Sequence, residues 1–183
     1  MMTNISLKVC AVVLILGGLA AAQDSPGMKS PSVTLAPPET ITIARGKSAS
    51  VPLQFRVGNS FHINSNTPKS EFLIATVLTI NASTDFLVGK LTYPAGEDMS
   101  FPFSPDEKLN VYTGDFKIDV RVRPLKTVQT GKYMFRGSLR YQACDNAACY
   151  PPKQLPVSFE VKVVKGAPTT VRKNPAQSPH VHR

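Results

Sequence analysis

Residues 155–163 read Leu-Pro-Val-Ser-Phe-Glu-Val-Lys-Val, and every second position is apolar: Leu155, Val157, Phe159, Val161 and Val163. Successive side chains of an extended chain point to opposite sides. This spacing therefore puts five apolar groups on one face of a strand and leaves Glu160 and Lys162 on the other. The same period of two recurs outward along the chain. Val51, Leu53, Phe55 and Val57 alternate with polar neighbours, as do Ile41 and Ile43. Phe116, Ile118, Val120 and Val122 alternate with Lys117, Asp119, Arg121 and Arg123. Tyr133, Phe135, Leu139 and Tyr141 share a face, with Gly137 in the same register. Phe72–Ile80 is more continuously apolar and β-branched, which predicts a central strand. No segment after residue 23 carries a stripe of period 3.6.

Turn signals punctuate these runs: Arg45-Gly46-Lys47, Val57-Gly58-Asn59, Tyr93-Pro94-Ala95-Gly96 and Thr130-Gly131-Lys132. Pro52 and Pro156 lie inside alternating runs, and a residue without a backbone N–H belongs at a sheet edge or a strand start. Seven or more short strands separated in this way predict an all-β fold, an antiparallel immunoglobulin-like β-sandwich. The buried tryptophan and long-range disulfide of antibody domains are missing, so the expectation concerns architecture and not that family. No internal repeat is evident.

Composition agrees. Of 183 residues, 42% are hydrophobic and 18% charged, with sixteen prolines, eleven glycines and no tryptophan. This excludes collagen, coiled coil, polytopic membrane protein and zinc-protein readings. Residues 1–22 read as a signal peptide: Lys8 precedes an uncharged run from Val9 to Ala22, and Ala20-Ala21-Ala22 precedes Gln23. The run is shorter than the about 20 residues a membrane-spanning helix needs. Cys10 opens the apolar run instead of closing it, which disfavours a lipoprotein. Residues 23–32 read as a linker and 33–164 as the domain. Residues 165–183 read as a disordered, Pro-rich tail that carries Lys165, Arg172, Lys173 and Arg183 and no acid. The formal charge of the whole chain is +9. No basic–aromatic interleaving accompanies it, so the tail reads as solubilising and nucleic acid is not an expected partner.

An exported chain stripped of Cys10 keeps Cys144 and Cys149, an even number expected to pair in an oxidising compartment. They lie in Tyr141-Gln142-Ala143-Cys144-Asp145-Asn146-Ala147-Ala148-Cys149-Tyr150-Pro151-Pro152, on the connection between the runs 133–142 and 155–163. A disulfide over so short a loop stabilises the fold by only about 2 kcal/mol in the chain-entropy model. The spacing suits a reversible dithiol, because both sulfurs stay local whether joined or apart. It is also compatible with an ordinary hairpin disulfide, and the two readings stand side by side at this point. Tyr141 and Tyr150 flank the pair and are candidates to shield it or to shape a docking surface. Asp145 adds negative charge that disfavours a thiolate. No metal site or cofactor is expected, since four suitable ligands are not at hand. His62, the one histidine inside the presumed domain, reads as structural more readily than as the partner of a nucleophilic cysteine. Metal delivery through His180, His182 and methionines is a weaker third reading.

Tyr-Gln-Ala-Cys-x4-Cys-Tyr-Pro-Pro, followed by an alternating strand, resembles the active-site segment of the N-terminal periplasmic domain of the thiol:disulfide interchange protein DsbD. The resemblance extends over about residues 33–164 and takes in Phe61-His62-Ile63-Asn64, Tyr93-Pro94 and Val111-Tyr112-Thr113-Gly114. It implies a periplasmic immunoglobulin-like domain that relays two electrons from a membrane-embedded, thioredoxin-like source to oxidised periplasmic proteins. Disulfide isomerases and cytochrome c maturation factors are among these. A membrane electron transporter of DsbD/CcdA type and thioredoxin-like redox proteins are the implied partners, and membrane association would be through them alone. By the same resemblance Cys149 forms mixed disulfides and Cys144 resolves them. A cap loop is implied as well, with Ser100-Phe101-Pro102-Phe103-Ser104 as the candidate segment and either Phe101 or Phe103 as the covering ring. Pro102 and Pro105 favour a loop over a strand there. Glu97 and Asp98 are nearby candidates for the acidic residues of the family's site. The alternative is a non-catalytic β-sandwich that binds a protein partner and carries a structural disulfide.

Overall fold

The computed structural model describes residues 32–166. The expected signal peptide, most of the linker and nearly all of the basic tail lie outside the described residues. Twelve strands and no helix occur among those described. They form three four-stranded sheets.

The first sheet has the order β1-β3-β9-β6, with β1 at Val33–Leu35, β3 at Ala49–Val57, β9 at Asp115–Pro124 and β6 at Phe86–Thr92. The second has the order β2-β12-β10-β5, with β2 at Ile41–Ala44, β12 at Lys153–Val164, β10 at Gly131–Tyr141 and β5 at Val77–Asn81. The alternating residues read from the sequence become one core between these sheets. Val51, Leu53, Phe55 and Val57 of β3 meet Phe116, Ile118, Val120 and Val122 of β9, and Phe135, Leu139, Val157, Phe159, Val161 and Val163 come from the facing sheet. The architecture is the expected immunoglobulin-like sandwich.

Local chemistry explains the exceptions to simple antiparallel pairing. Pro37 and Pro38 follow β1 and cannot donate to a ladder, so the first extended segment breaks there. Its first half pairs with β3, and its second half crosses to the other sheet to pair with β12 in parallel. Pro52 and Pro156 sit where only one neighbour is present. Pro52 is opposite Asp119 beyond the reach of β1, and Pro156 is opposite Ser138 beyond the reach of β2. Gly46 turns between β2 and β3 at φ +70°, a region glycine enters without cost.

One expectation is corrected. Phe72–Ile80 is not a central strand. Its strand is Val77–Asn81, at the edge of the second sheet, and Phe72 is 88% exposed in the preceding loop. A continuous apolar run suits a central strand, but Leu73 packs instead on a separate small cluster described below.

The third sheet has the order β11-β4-β8-β7, with β11 at Ala143–Cys144, β4 at His62–Asn64, β8 at Ser104–Tyr112 and β7 at Glu97–Phe101. It grows directly out of the sandwich. Gln142 alone separates β11 from β10, and Thr113-Gly114 alone separates β8 from β9. Alternation divides its residues between two faces. Ile63, Tyr112 and Ala143 join the main core. Their neighbours Cys144, His62, Asn64, Val111 and Leu109 fall on the other face.

Candidate functional site

The second face of the third sheet carries the cysteine pair. Cys144 and Cys149 are joined by a disulfide across a sequence separation of five. The two ends of the bond differ: Cys144 is fully buried, while Cys149 is exposed. Tyr150 N donates to Ala143 O at 2.9 Å, closing the loop at its base.

The intervening residues are held by Asp145. Its Oδ1 accepts the N–H groups of Ala147 at 2.8 Å and Ala148 at 2.9 Å, and its Oδ2 accepts the Tyr150 hydroxyl at 2.6 Å. An aspartate that bonds to the backbone two and three residues on fixes a tight turn. The Tyr150 hydroxyl, the two backbone N–H groups and the nearby His62 together hold the Asp145 carboxyl below its ordinary range. The carboxylate is thus committed to the loop's own geometry, a role the sequence reading did not give it.

Gln142 braces the loop from beneath. Its Oε1 accepts Asn64 Nδ2 at 3.2 Å and Ile74 N at 3.4 Å, and its Nε2 donates to Tyr150 O at 3.2 Å. Asn64 Nδ2 also donates to Ile74 O at 3.0 Å. These bonds tie the cysteine loop to β4 and to the segment leading into β5.

The flanking tyrosines separate. Tyr141 ends β10 within the core, and its hydroxyl accepts Val33 N–H at 3.2 Å. Tyr150 stays with the disulfide loop, and the ring of Phe61 meets it edge-on at 5.9 Å. One tyrosine is therefore part of the scaffold and the other part of the site.

His62 is the cross-strand partner of Cys144. Its ring is 3% exposed and stacks on Phe101 with centroids 3.8 Å apart and planes 16° apart. Phe103 lies parallel to it at 6.3 Å. Burial pushes the His62 imidazole down to about 4, against a smaller opposing pull from Asp145. Its Nε2 has no hydrogen-bond partner. The sequence offered a signal for His62, the lone histidine of the domain, but not the pairing that brings it to Cys144.

The segment expected as a cap loop is the tip of a hairpin. β7 and β8 pair from Glu97↔Val111 to Phe101↔Ser104, and Pro102-Phe103 form the turn. Strands thus run up to Pro102-Phe103 on both sides, where the prolines alone favour a loop over a strand. Pro105 is accommodated where the register shifts between Met99 and Phe101, since a bulge releases it from the ladder. The tip packs back onto the site face: Phe101, Leu109 and Val111 form a second buried cluster, with Phe103 and Leu73 against it. Phe101 is buried and Phe103 half-buried. Asp98 lies on the outer strand of this hairpin, paired with Lys69 at 2.6 Å and accepting from Asn110 at 2.7 Å, while Glu97 is exposed. Among the described residues no group of three or more His, Cys, Asp or Glu could hold a metal ion, and no helix is long and apolar enough to cross a membrane.

A β-sandwich whose disulfide has one exposed and one buried cysteine places the chain among the disulfide-bearing immunoglobulin-like domains. The sequence model of the thiol:disulfide interchange protein DsbD, N-terminal, matches residues 32–160, and the chain belongs to that family. No curated protein sequence matches it. Similar solved structures include the reduced DsbD N-terminal domain of Neisseria meningitidis, at 19% identity over 65% of this chain and 78% of that one, with a TM-score of 0.39. They also include the complex between the DsbD N-terminal and PilB N-terminal domains of Neisseria meningitidis, at 18% identity over 61% and 73%, with a TM-score of 0.37. The N-terminal periplasmic domain of ScsB from Proteus mirabilis matches at 12% identity over 75% of this chain and 47% of that one, with a TM-score of 0.45.

Proposed function

We propose that the chain is an exported thiol–disulfide carrier that relays two electrons through Cys144 and Cys149. The observation that carries the reading is the asymmetry of the pair, with Cys149 exposed and Cys144 buried in one short loop. Thiol–disulfide exchange needs in-line access of a foreign sulfur to one sulfur and a second thiol close by to finish the reaction. Cys149 is suited to the first task and Cys144 to the second.

In the donating direction, the Cys149 thiolate attacks a partner disulfide. A Cys149–partner bond forms, and the partner's other sulfur leaves with the electron pair and takes a proton. Cys144 then attacks Cys149 Sγ, the bond to the partner breaks, and the partner carries away two electrons and two protons in all. Recharging runs the same steps backwards from a reduced donor. The donor is a thioredoxin-like redox protein or a membrane electron transporter of DsbD/CcdA type, and the acceptors are disulfide-containing periplasmic proteins. Residues 1–22 direct export to the periplasm and the basic tail from 165 is solubilising. No cofactor takes part, and membrane association is only through partners.

The hairpin tip serves as the cap at the buried end of the disulfide, since its rings lie over His62, the cross-strand partner of Cys144. Phe101 is fixed by its pairing with Ser104 and its stack on His62, whereas Phe103 occupies the turn and is half-buried. Phe103 is therefore the ring that moves when a partner docks, and Phe101 the ring that stays. Tyr150 shapes the surface on the other side of the exposed cysteine.

Trapping tests the reading. Cys144→Ser leaves Cys149 without its resolving thiol and is expected to accumulate a mixed disulfide with a thioredoxin-like protein. Absence of any adduct with either single-cysteine variant overturns the carrier role. A reduction potential below about −300 mV would do the same, and would favour a binding module with a structural disulfide.

A further inference from the structure

His62 stands directly across the strand pair from Cys144, where packing alone does not require a histidine. Opposed residues of an antiparallel pair carry their Cβ atoms on the same side, about 4.5–5.5 Å apart. The pairing His62↔Cys144 therefore sets the imidazole beside the buried sulfur. Phe101 covers one face of the ring, so the ring cannot turn away into solvent. Nε2 is buried and finds no donor or acceptor. A buried polar atom left unpaired is uncommon and costly. A phenylalanine would fill the same slot and stack equally well without that cost.

The oxidised state explains the missing partner. A disulfide sulfur carries no proton to offer. A Cys144 thiol does, and with its own proton on Nδ1 the neutral ring presents Nε2 as an acceptor. Resting on the carrier reading above, we propose that His62 is the proton acceptor for Cys144, bonding its thiol in the reduced chain and taking its proton as the mixed disulfide is resolved.

The step balances. The proton on Cys144 Sγ passes to His62 Nε2, and the electron pair left on sulfur attacks Cys149 Sγ. The Cys144–Cys149 bond forms as the Cys149–partner bond breaks. The partner sulfur leaves with that electron pair and takes up a proton from the imidazolium or from water. In reverse, the donor thiol gives up its proton to His62 Nε2, directly or through water, and its sulfur attacks Cys149 Sγ. The donor–Cys149 bond forms as the Cys144–Cys149 bond breaks, and the imidazolium protonates the released Cys144 thiolate. Among the described residues, the groups that face the ring are few. Cys144 and Asp145 come from the cysteine loop, and Asp145 is the charged group acting on it. The hairpin contributes the uncharged rings of Phe101 and Phe103.

The test separates two events in the mature chain. A mixed disulfide between Cys149 and glutathione is formed, and the release of glutathione by Cys144 is followed from pH 5 to 8. His62→Phe, which keeps the stack on Phe101, is expected to slow release by about 100-fold near neutrality, the lower end for a lost general base. His62→Gln, which keeps an acceptor but no basic nitrogen, should fall between. If the adduct forms and both variants resolve it as fast as the parent chain at every pH, the role of His62 is overturned and the carrier reading stands. If no adduct forms in the parent chain, both fall. Should His62→Phe not fold, the imidazole of the parent chain is titrated by NMR in both redox states. Reduction is expected to lower its pKa, because a thiol bonded to Nε2 favours the neutral ring, and an unchanged value overturns the proposal.

Discussion

Single residues fix the shape of the cysteine loop, and their titration is readable. Asp145 bonds the N–H groups of Ala147 and Ala148 and the Tyr150 hydroxyl. Asp145→Ala removes both acceptor oxygens and with them all three bonds, so faster amide exchange at residues 147 and 148 and faster reduction of the disulfide by a small thiol are expected. Its lowered carboxyl stabilises the folded chain above the ordinary value of 3.8, and that contribution is lost as pH falls through the lowered one. His62 acts in a different window. Its folded value of about 4 lies under the ordinary value of 6.5, so between these the unfolded chain binds a proton that the folded chain refuses. Stability from this source is full above 6.5, falls as pH drops through the window, and is flat below about 4. The loss reaches at most about 3 kcal/mol. Urea titrations at several pH values should show this decline in the parent chain and its disappearance in His62→Phe. Composition and spacing made the cysteines legible. They did not reveal the work of Asp145, Gln142 and His62, whose partners are set by strand register.

Elements carry the next set of expectations. β10 is flanked by β12 and β5, and Gly137 lies opposite both Val157 and Ile80. A Cβ on Gly137 would overlap the backbone oxygen of Thr79 and press on Ile80. Backbone cannot swing aside as a long side chain can. Gly137→Ala is therefore expected to cost about 1–3 kcal/mol by denaturant titration, as overpacking does, and to expose the amides of Val77–Asn81 first. The hairpin of β7 and β8 predicts a contrast between its rings. Phe101→Ala removes a buried ring from a cluster with Leu109 and Val111 and should cost about 3 kcal/mol or more. Phe103→Ala should cost less and chiefly speed reduction of the disulfide by a small thiol. Equal effects of the two changes on that rate would deny Phe103 its covering role. The sequence missed this hairpin because its prolines pointed to a loop, while a turn and a bulge absorb them. It misplaced Phe72–Ile80 for a related reason. A continuous apolar run does not say whether a neighbouring sheet covers both its faces, and here the strand is an edge.

At the scale of the whole molecule, the core and the disulfide are energetically separable. Leu53 is fully buried between the two large sheets, and Leu53→Ala is expected to lose about 2–5 kcal/mol. Reducing Cys144–Cys149, which closes a loop across only five positions, should lose no more than about 2 kcal/mol. Paired thermal or denaturant unfolding of oxidised and reduced chain measures the difference. A small loss keeps both redox states folded, as an electron carrier requires. A loss comparable to that of Leu53→Ala would mark the bond as a structural staple. The alternation along β3, β9, β10 and β12 already determined the sandwich. Which side chains share a face is a local property of an extended chain, and burial of that face is the strongest demand on it. The chain alone also named the cysteines, because their chemistry is carried by residue type and their pairing by a short span. Which of them is exposed, which histidine stands beside the buried one, and which ring covers that histidine were decided only in three dimensions. Those relations join residues about 40 to 80 positions apart through β4, β7 and β11, strands of two to five residues whose register local pattern is too short to specify.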